Sequence, residues 1–252
     1  MPLPRPSHLS LFIVPVALGL GACVSDNADS GLTILKAAVA ESGCTFSLTA
    51  ATFQASGVIQ ADSPDGYILA PVVRNDLARA EGEAETPKTV FVSGAQITIK
   101  FQDATLFTAA EQATMTTAGL TRFVAPLAGP VAPNGGVSVF PFGAVPVELL
   151  AMIKDKLAAG EQHHTLLDVQ VTMTGTRGGS SIESNLFRYP VEVCDACVVR
   201  NLGNCADVDP AQVIATGGLC SLLQDARLDC CQRVDPDTAA VTTICPARPN
   251  QL

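Results

Sequence analysis

The sequence predicts a mainly β fold: antiparallel sheets packed as a sandwich, one short helix, and a disulfide-rich C-terminal extension. Three observations carry this. Apolar and polar residues alternate at period two in several stretches. Prolines and Gly-rich turn signals interrupt the apolar runs. Cysteines crowd the C-terminal part, where seven of the nine lie between Cys194 and Cys245.

The chain opens with Met1–His8, whose one charged residue is Arg5, and continues into the apolar run Leu9–Leu20. That run is too short for a ~30 Å hydrocarbon core and fits the hydrophobic region of a secretory signal peptide. Leu20-Gly21-Ala22-Cys23 resembles the lipobox of bacterial lipoproteins, in which the cysteine is lipidated and becomes the mature N-terminus. The resemblance implies a signal peptide over residues 1–22 and acylation of Cys23, with palmitate among the chains. It also implies a membrane partner reached through the N-terminal lipid, at the cell envelope. Val24 rather than Asp after the cysteine implies passage to the outer membrane. Several acyl chains anchor stably where one is marginal. The plainer alternative is an ordinary signal peptide cut nearby, which leaves Cys23 for a disulfide. Residues 23–31, polar after the first two, read as a lipidated cysteine and tether.

Composition narrows the rest. The formal charge of −9 disfavours non-specific nucleic-acid binding, which depends on neutralising phosphate, so no nucleic-acid partner is expected. With 48% apolar and 15% charged residues, the chain reads as folded rather than disordered. It has no Trp, and Tyr67 and Tyr189 are its only tyrosines, so platforms for stacking sugars are scarce.

Residues 32–200 carry the strand patterns and read as an immunoglobulin-like or related β-sandwich. Phe46 and Leu48 alternate with Thr45, Ser47 and Thr49, and Ile97, Ile99 and Phe101 with Thr98, Lys100 and Gln102. Val137 and Val139 follow the turn signal Pro133-Asn134-Gly135-Gly136. Leu167, Val169, Val171 and Met173 alternate with Asp168, Gln170, Thr172 and Thr174. After Thr176-Arg177-Gly178-Gly179 the pattern resumes in Phe187, Tyr189, Val191 and Val193, so Leu166–Met173 and Leu186–Val193 read as a hairpin. Between the strands, Pro146 fits a first helical position, Leu149, Leu150, Ile153 and Leu157 form one apolar stripe, and Gly160 ends the helix. Residues 121–146 hold Pro126, Pro130, Pro133, Pro141 and Pro146, which argues against a continuous strand and for extended segments near a sheet edge. The acidic stretch Ala80–Glu85 reads as a solvated loop.

Residues 201–252 have few long apolar runs and cannot bury a core of their own, so they read as an extension stapled to the sandwich. With Cys23 committed to lipid, eight cysteines remain: Cys44, Cys194, Cys197, Cys205, Cys220, Cys230, Cys231 and Cys245. In an oxidising compartment an even count reads as four disulfides. Seven cysteines cannot pair among themselves, so complete intrachain pairing requires Cys44 to bond one of the 194–245 group. The stretch LLDVQVTMTGTRGGSSIESNLFRYPVEVCDACVVR, with the later QDARLDCC, resembles uncharacterised cysteine-rich bacterial lipoproteins in which a β-domain runs into a CxxC and a cysteine-rich tail. That resemblance covers about residues 166–231, and it implies a β-sandwich at the cell envelope and no site residues.

Candidate chemistry is sparse. Cys194-Asp195-Ala196-Cys197 has redox-motif spacing, but it continues a strand with no helical signal to lower a thiol pKa. The C-x2-C-x7-C-x14-C spacing departs from paired zinc ligands. Structural disulfides are therefore expected, with no metal and no cofactor. His163 and His164, adjacent on a strand, point to opposite faces and are badly placed to grip one metal. Asp207 and Asp209 begin like a calcium loop. Ala211 lacks a ligand oxygen, Gln212 replaces the turn glycine and Gly218 replaces the final glutamate, which leaves only an irregular site among Asp207, Asp209, Asp225 and Asp229. No G-x-S-x-G, S-x-x-K or H-E-x-x-H motif is present. The reading is a non-enzymatic envelope lipoprotein with a structural or interaction role and other envelope proteins as partners. The alternative is an extracytoplasmic small-ligand or metal-ion binding module, and a hydrolase ranks last.

Overall fold

The computed structural model describes residues 31–48, 52–78, 81–82, 84, 86–160, 162–208 and 215–246. The Leu20–Cys23 motif, the tether before Gly31, and Asp209, Ala211 and Gln212 lie outside the described residues. The first strands are β1 (Leu32–Ala38), β2 (Ala40–Glu41), β3 (Thr45–Phe46), β4 (Phe53–Gln54), β5 (Gly57–Gln60), β6 (Tyr67–Leu69) and β7 (Pro71–Asn75). Then come β8 (Val90–Phe101), α1 (Ala109–Thr117), β9 (Arg122–Val131), β10 (Gly136–Val139), β11 (Phe142–Val145) and α2 (Val147–Ala159). The chain continues through β12 (His164–Arg177), β13 (Ser180–Glu183), β14 (Phe187–Cys194), β15 (Val199–Asn204), β16 (Leu228–Val234) and β17 (Val241–Ile244).

The protein is mainly β. A six-stranded sheet runs β5-β14-β12-β8-β9 with β13 paired to β12, and a four-stranded sheet runs β10-β7-β1-β4. Both feed one apolar cluster, with Ile34 and Val73 from the smaller sheet beside Ile97, Val169 and Val191 from the larger. The alternation in β12 has the expected consequence: Leu167, Val169, Val171 and Met173 are fully buried. Each such side chain stabilises the fold by about 1.5–3 kcal/mol. On the other face of the sheet, Asp168 is kept charged by Arg188, whose guanidinium stands 2.6 Å from it.

Leu166–Met173 does pair with Leu186–Val193, for Leu167 faces Val191 and Val169 faces Tyr189. The Gly178-Gly179 turn, however, closes a tighter hairpin onto β13 first. Both of those glycines have positive φ, 52° and 86°, as a two-residue hairpin turn requires. Helix α2 buries Leu149, Leu150, Ile153 and Leu157, and Gly160 caps it. Pro146 is its N-cap rather than its first helical residue.

Three expectations need correcting. The described residues hold two α-helices, not one: α1 starts at a capping box in which Thr108 and Glu111 satisfy each other's backbone N–H. Residues 122–131 are one continuous strand despite Pro126 and Pro130, because β9 lies at the sheet edge and its register with β8 shifts near Gly94. The sheets are not wholly antiparallel, since β5 pairs parallel with β14 and β15 pairs parallel with β16.

The cysteine-rich tail folds as the sheet β15-β16-β17. Its connecting segment returns to the body, where the Gln60 N–H donates to Leu223 C=O and the Asp225 N–H to Val58 C=O.

Candidate functional site

The densest polar arrangement lies where this returning segment meets β5 and β6. Gln224 is buried, and its Oε1 accepts from the Ile68 N–H at 2.9 Å while its Nε2 donates to the Ile68 C=O at 2.7 Å. Asp225 has a positive φ of 61°, a conformation Asp tolerates better than most residues. Its carboxylate accepts from the Val58 N–H at 2.9 Å and from the Tyr67 hydroxyl at 3.0 Å. Tyr67 and Tyr189 in turn share a 2.9 Å hydrogen bond between their hydroxyls. Burial pushes the Tyr67 phenol far above its ordinary range, with Asp225 and Tyr189 adding to the effect, and burial raises Tyr189 too. Both phenols stay protonated and act as hydrogen-bonding struts. Gly57 permits this packing, because a Cβ there would land on the Tyr67 ring.

The same junction carries the disulfide from Cys44 to Cys220, whose Cα atoms are 4.6 Å apart. The other described cysteines pair as Cys194–Cys197, Cys205–Cys231 and Cys230–Cys245. Between β4 and the segment 218–226 runs a cleft of about 320 Å³ lined by Val39, Ala40, Phe53, Leu219, Gln224 and Asp225, with Gln54 beside them. Phe53 is 61% exposed and Leu219 45% exposed. Gln224 and Asp225 bond the protein's own backbone and Tyr67, but Asp225 stays exposed, so the surface of the cleft is mostly apolar with one carboxylate in it.

The remaining candidates are placed elsewhere. His163 and His164 border an open depression of about 600 Å³ with Gln102, Asp103 and Gln162. The Asp103 carboxyl is held below its usual range, first by the Thr105 hydroxyl and then by the Thr105 N–H. Asp229 is buried under Arg200, which donates to both of its oxygens at 2.8 Å, and the Ala215 N–H adds a third bond. Asp207 sits in a short 3-10 turn, Cys205–Asp207. The structure thus sends Asp225 and Asp229 to different partners rather than to one ion, and among the described residues no three His, Cys, Asp or Glu side chains come together as a metal site. Ser63 and Ser221 are buried with their hydroxyls 3.1 Å from each other. Sequence reasoning missed Gln224 and the tyrosine pair, for which no local pattern exists. Compared with known proteins, the chain matches no family model, no curated protein and no solved structure.

Proposed function

We propose that this chain is a non-enzymatic cell-envelope lipoprotein with a structural or protein-interaction role, held to the membrane by acylated Cys23. Its body is an immunoglobulin-like or related β-sandwich, a reading supported by the two sheets that share one apolar cluster. The observation that carries the interaction role is the exposure of Phe53 and Leu219 around a mostly apolar cleft whose Gln224 and Asp225 already bond the protein itself. Large apolar side chains left clustered in water favour a protein partner, which buries them, over a polar ligand, which would need free hydrogen-bonding groups.

A photo-crosslinking residue placed at Phe53 in the full chain, in its native envelope, tests the reading. A discrete adduct with another protein is expected there, and none from the same probe at exposed Val124 on edge strand β9. Leu219→Ser should weaken the Phe53 adduct. No adduct at Phe53, or the same adducts from both positions, would remove the interaction role.

A further inference from the structure

The four disulfides differ in what they join. Cys44–Cys220 spans 176 residues, Cys205–Cys231 spans 26 and Cys230–Cys245 spans 15, and each ties together segments separate in the chain. Cys194–Cys197 spans 3. So short a ring removes little loop entropy from the unfolded chain. Its flanks are also fixed without it. On the near side, the Cys194 C=O accepts from the Ala61 N–H and the Asp195 N–H donates to the His163 C=O, both at 2.8 Å. On the far side, the Val198 C=O accepts from the Leu228 N–H at 2.9 Å, and the Val199 N–H donates to Gln60 Oε1 at 3.1 Å. These hydrogen bonds hold the turn's flanks independently of the disulfide.

The two sulfurs differ in access. Cys194 is 1% exposed, whereas Cys197 stands in the open on the turn. Cys245 is also exposed, but its bond with Cys230 closes over the β16–β17 hairpin. The Cys194 sulfur lies 3.5 Å from the Ile59 carbonyl oxygen, which can accept a hydrogen bond from a thiol there. His164 faces Cys194 across the β12–β14 ladder. Facing residues stand on the same side of a sheet with Cβ atoms about 4.5–5.5 Å apart, so an imidazole lies within reach to deliver a proton. His164 also borders the open depression that Gln102, Asp103 and Gln162 line, which leaves room for an incoming thiol compound.

We propose that Cys194–Cys197 is a thiol–disulfide exchange site that receives an aliphatic thiolate at Cys197. The thiolate attacks the Cys197 sulfur, a new S–S bond forms there, and the Cys194–Cys197 bond breaks. Cys194 leaves as a thiolate and takes up a proton. A second thiolate then attacks the substrate sulfur of the mixed disulfide, and Cys197 leaves as a thiolate and is protonated from water. Two substrate thiols are oxidised to one disulfide, and the protein disulfide gains two electrons to become a dithiol.

The oxidised full-length protein is exposed to graded reduced glutathione in one arm and to a short peptide carrying one cysteine in the other. Free thiols are alkylated and mapped by mass spectrometry. Cys194 and Cys197 are expected to appear as thiols about tenfold or more faster than any other pair, with circular dichroism unchanged. A faster glutathione arm assigns the site to small thiols, and a faster peptide arm to cysteine-bearing chains. With glutathione disulfide, Cys194→Ser should trap a mixed disulfide at Cys197, while Cys197→Ser should trap none at buried Cys194. His164→Gln should slow the exchange severalfold without moving the unfolding midpoint. Opening of all four disulfides together, or later opening of Cys194–Cys197 than of the rest, would overturn the proposal.

Discussion

Gln224 holds Ile68 by both of its backbone hydrogen-bonding groups, accepting from its N–H at 2.9 Å and donating to its C=O at 2.7 Å. A side-chain amide offers the same donor and acceptor as a peptide group, so Gln224 pairs with β6 as a neighbouring strand would. The cysteine-rich segment is thereby joined to the body by recognition as well as by the Cys44–Cys220 bond. Gln224→Ala should leave both Ile68 groups without their partner and cost about 1–3 kcal/mol. Urea unfolding measures the loss, and hydrogen exchange at the Ile68 amide should accelerate while that of β12 stays slow.

Cys44→Ser tests the covalent half of the same junction. In the chain-entropy treatment a loop of 176 residues contributes about 5 kcal/mol, an upper value where the unfolded chain keeps structure. Net stabilities of domains are only about 5–15 kcal/mol, so the variant should unfold at much lower denaturant. Non-reducing peptide mapping should find Cys44 linked to Cys220 in the wild type and a free Cys220 in the variant.

Gly57→Ala should behave as a lesion of the tyrosine pair. The added methyl collides with the Tyr67 ring and pushes its hydroxyl away from Asp225. Overpacking of this kind typically costs about 1–3 kcal/mol. Near-ultraviolet circular dichroism of the tyrosines should change more than the far-ultraviolet spectrum.

The tail should be acid-sensitive through Asp229. Its carboxyl is held below the ordinary value of 3.8, chiefly by hydrogen bonds from Arg200 and then by the Ala215 N–H. A carboxyl depressed in the folded state contributes stability that is complete above its unfolded value and is lost as pH falls through the folded one. The β15-β16-β17 sheet should therefore loosen only below about pH 4. Asp229→Asn should be less stable at neutral pH and should show a smaller acid-dependent step, as read by denaturation across a pH series.

The sequence was most legible where a local period decides structure. The β12 alternation, the α2 stripe and the Gly178-Gly179 turn depend on neighbours in the chain, and each appears where the pattern puts it. Helix α1 was legible too, through the Thr108–Glu111 capping box, but its one buried residue, Met115, gives no apolar stripe to notice. Strand β9 was obscured because proline is a barrier only where its missing N–H is needed, and an edge strand has one side free. The Gln224–Ile68 clamp and the Tyr67–Tyr189–Asp225 chain join residues more than a hundred positions apart, and no spacing rule reaches that far. Complete intrachain pairing required a partner for Cys44 in the 194–245 group, and folding selects Cys220 from the seven.

The central claim is that the chain works from a membrane surface, anchored through Cys23. The direct measurement is detergent-phase partitioning of the envelope fraction, comparing the wild-type protein with Cys23→Ala. The account predicts that the wild type enters the detergent phase carrying acyl chains on an N-terminal Cys23, while Cys23→Ala stays in the aqueous phase with its disulfides intact. Recovery of Cys23→Ala in the detergent phase, or of wild-type protein without acylation, would contradict it.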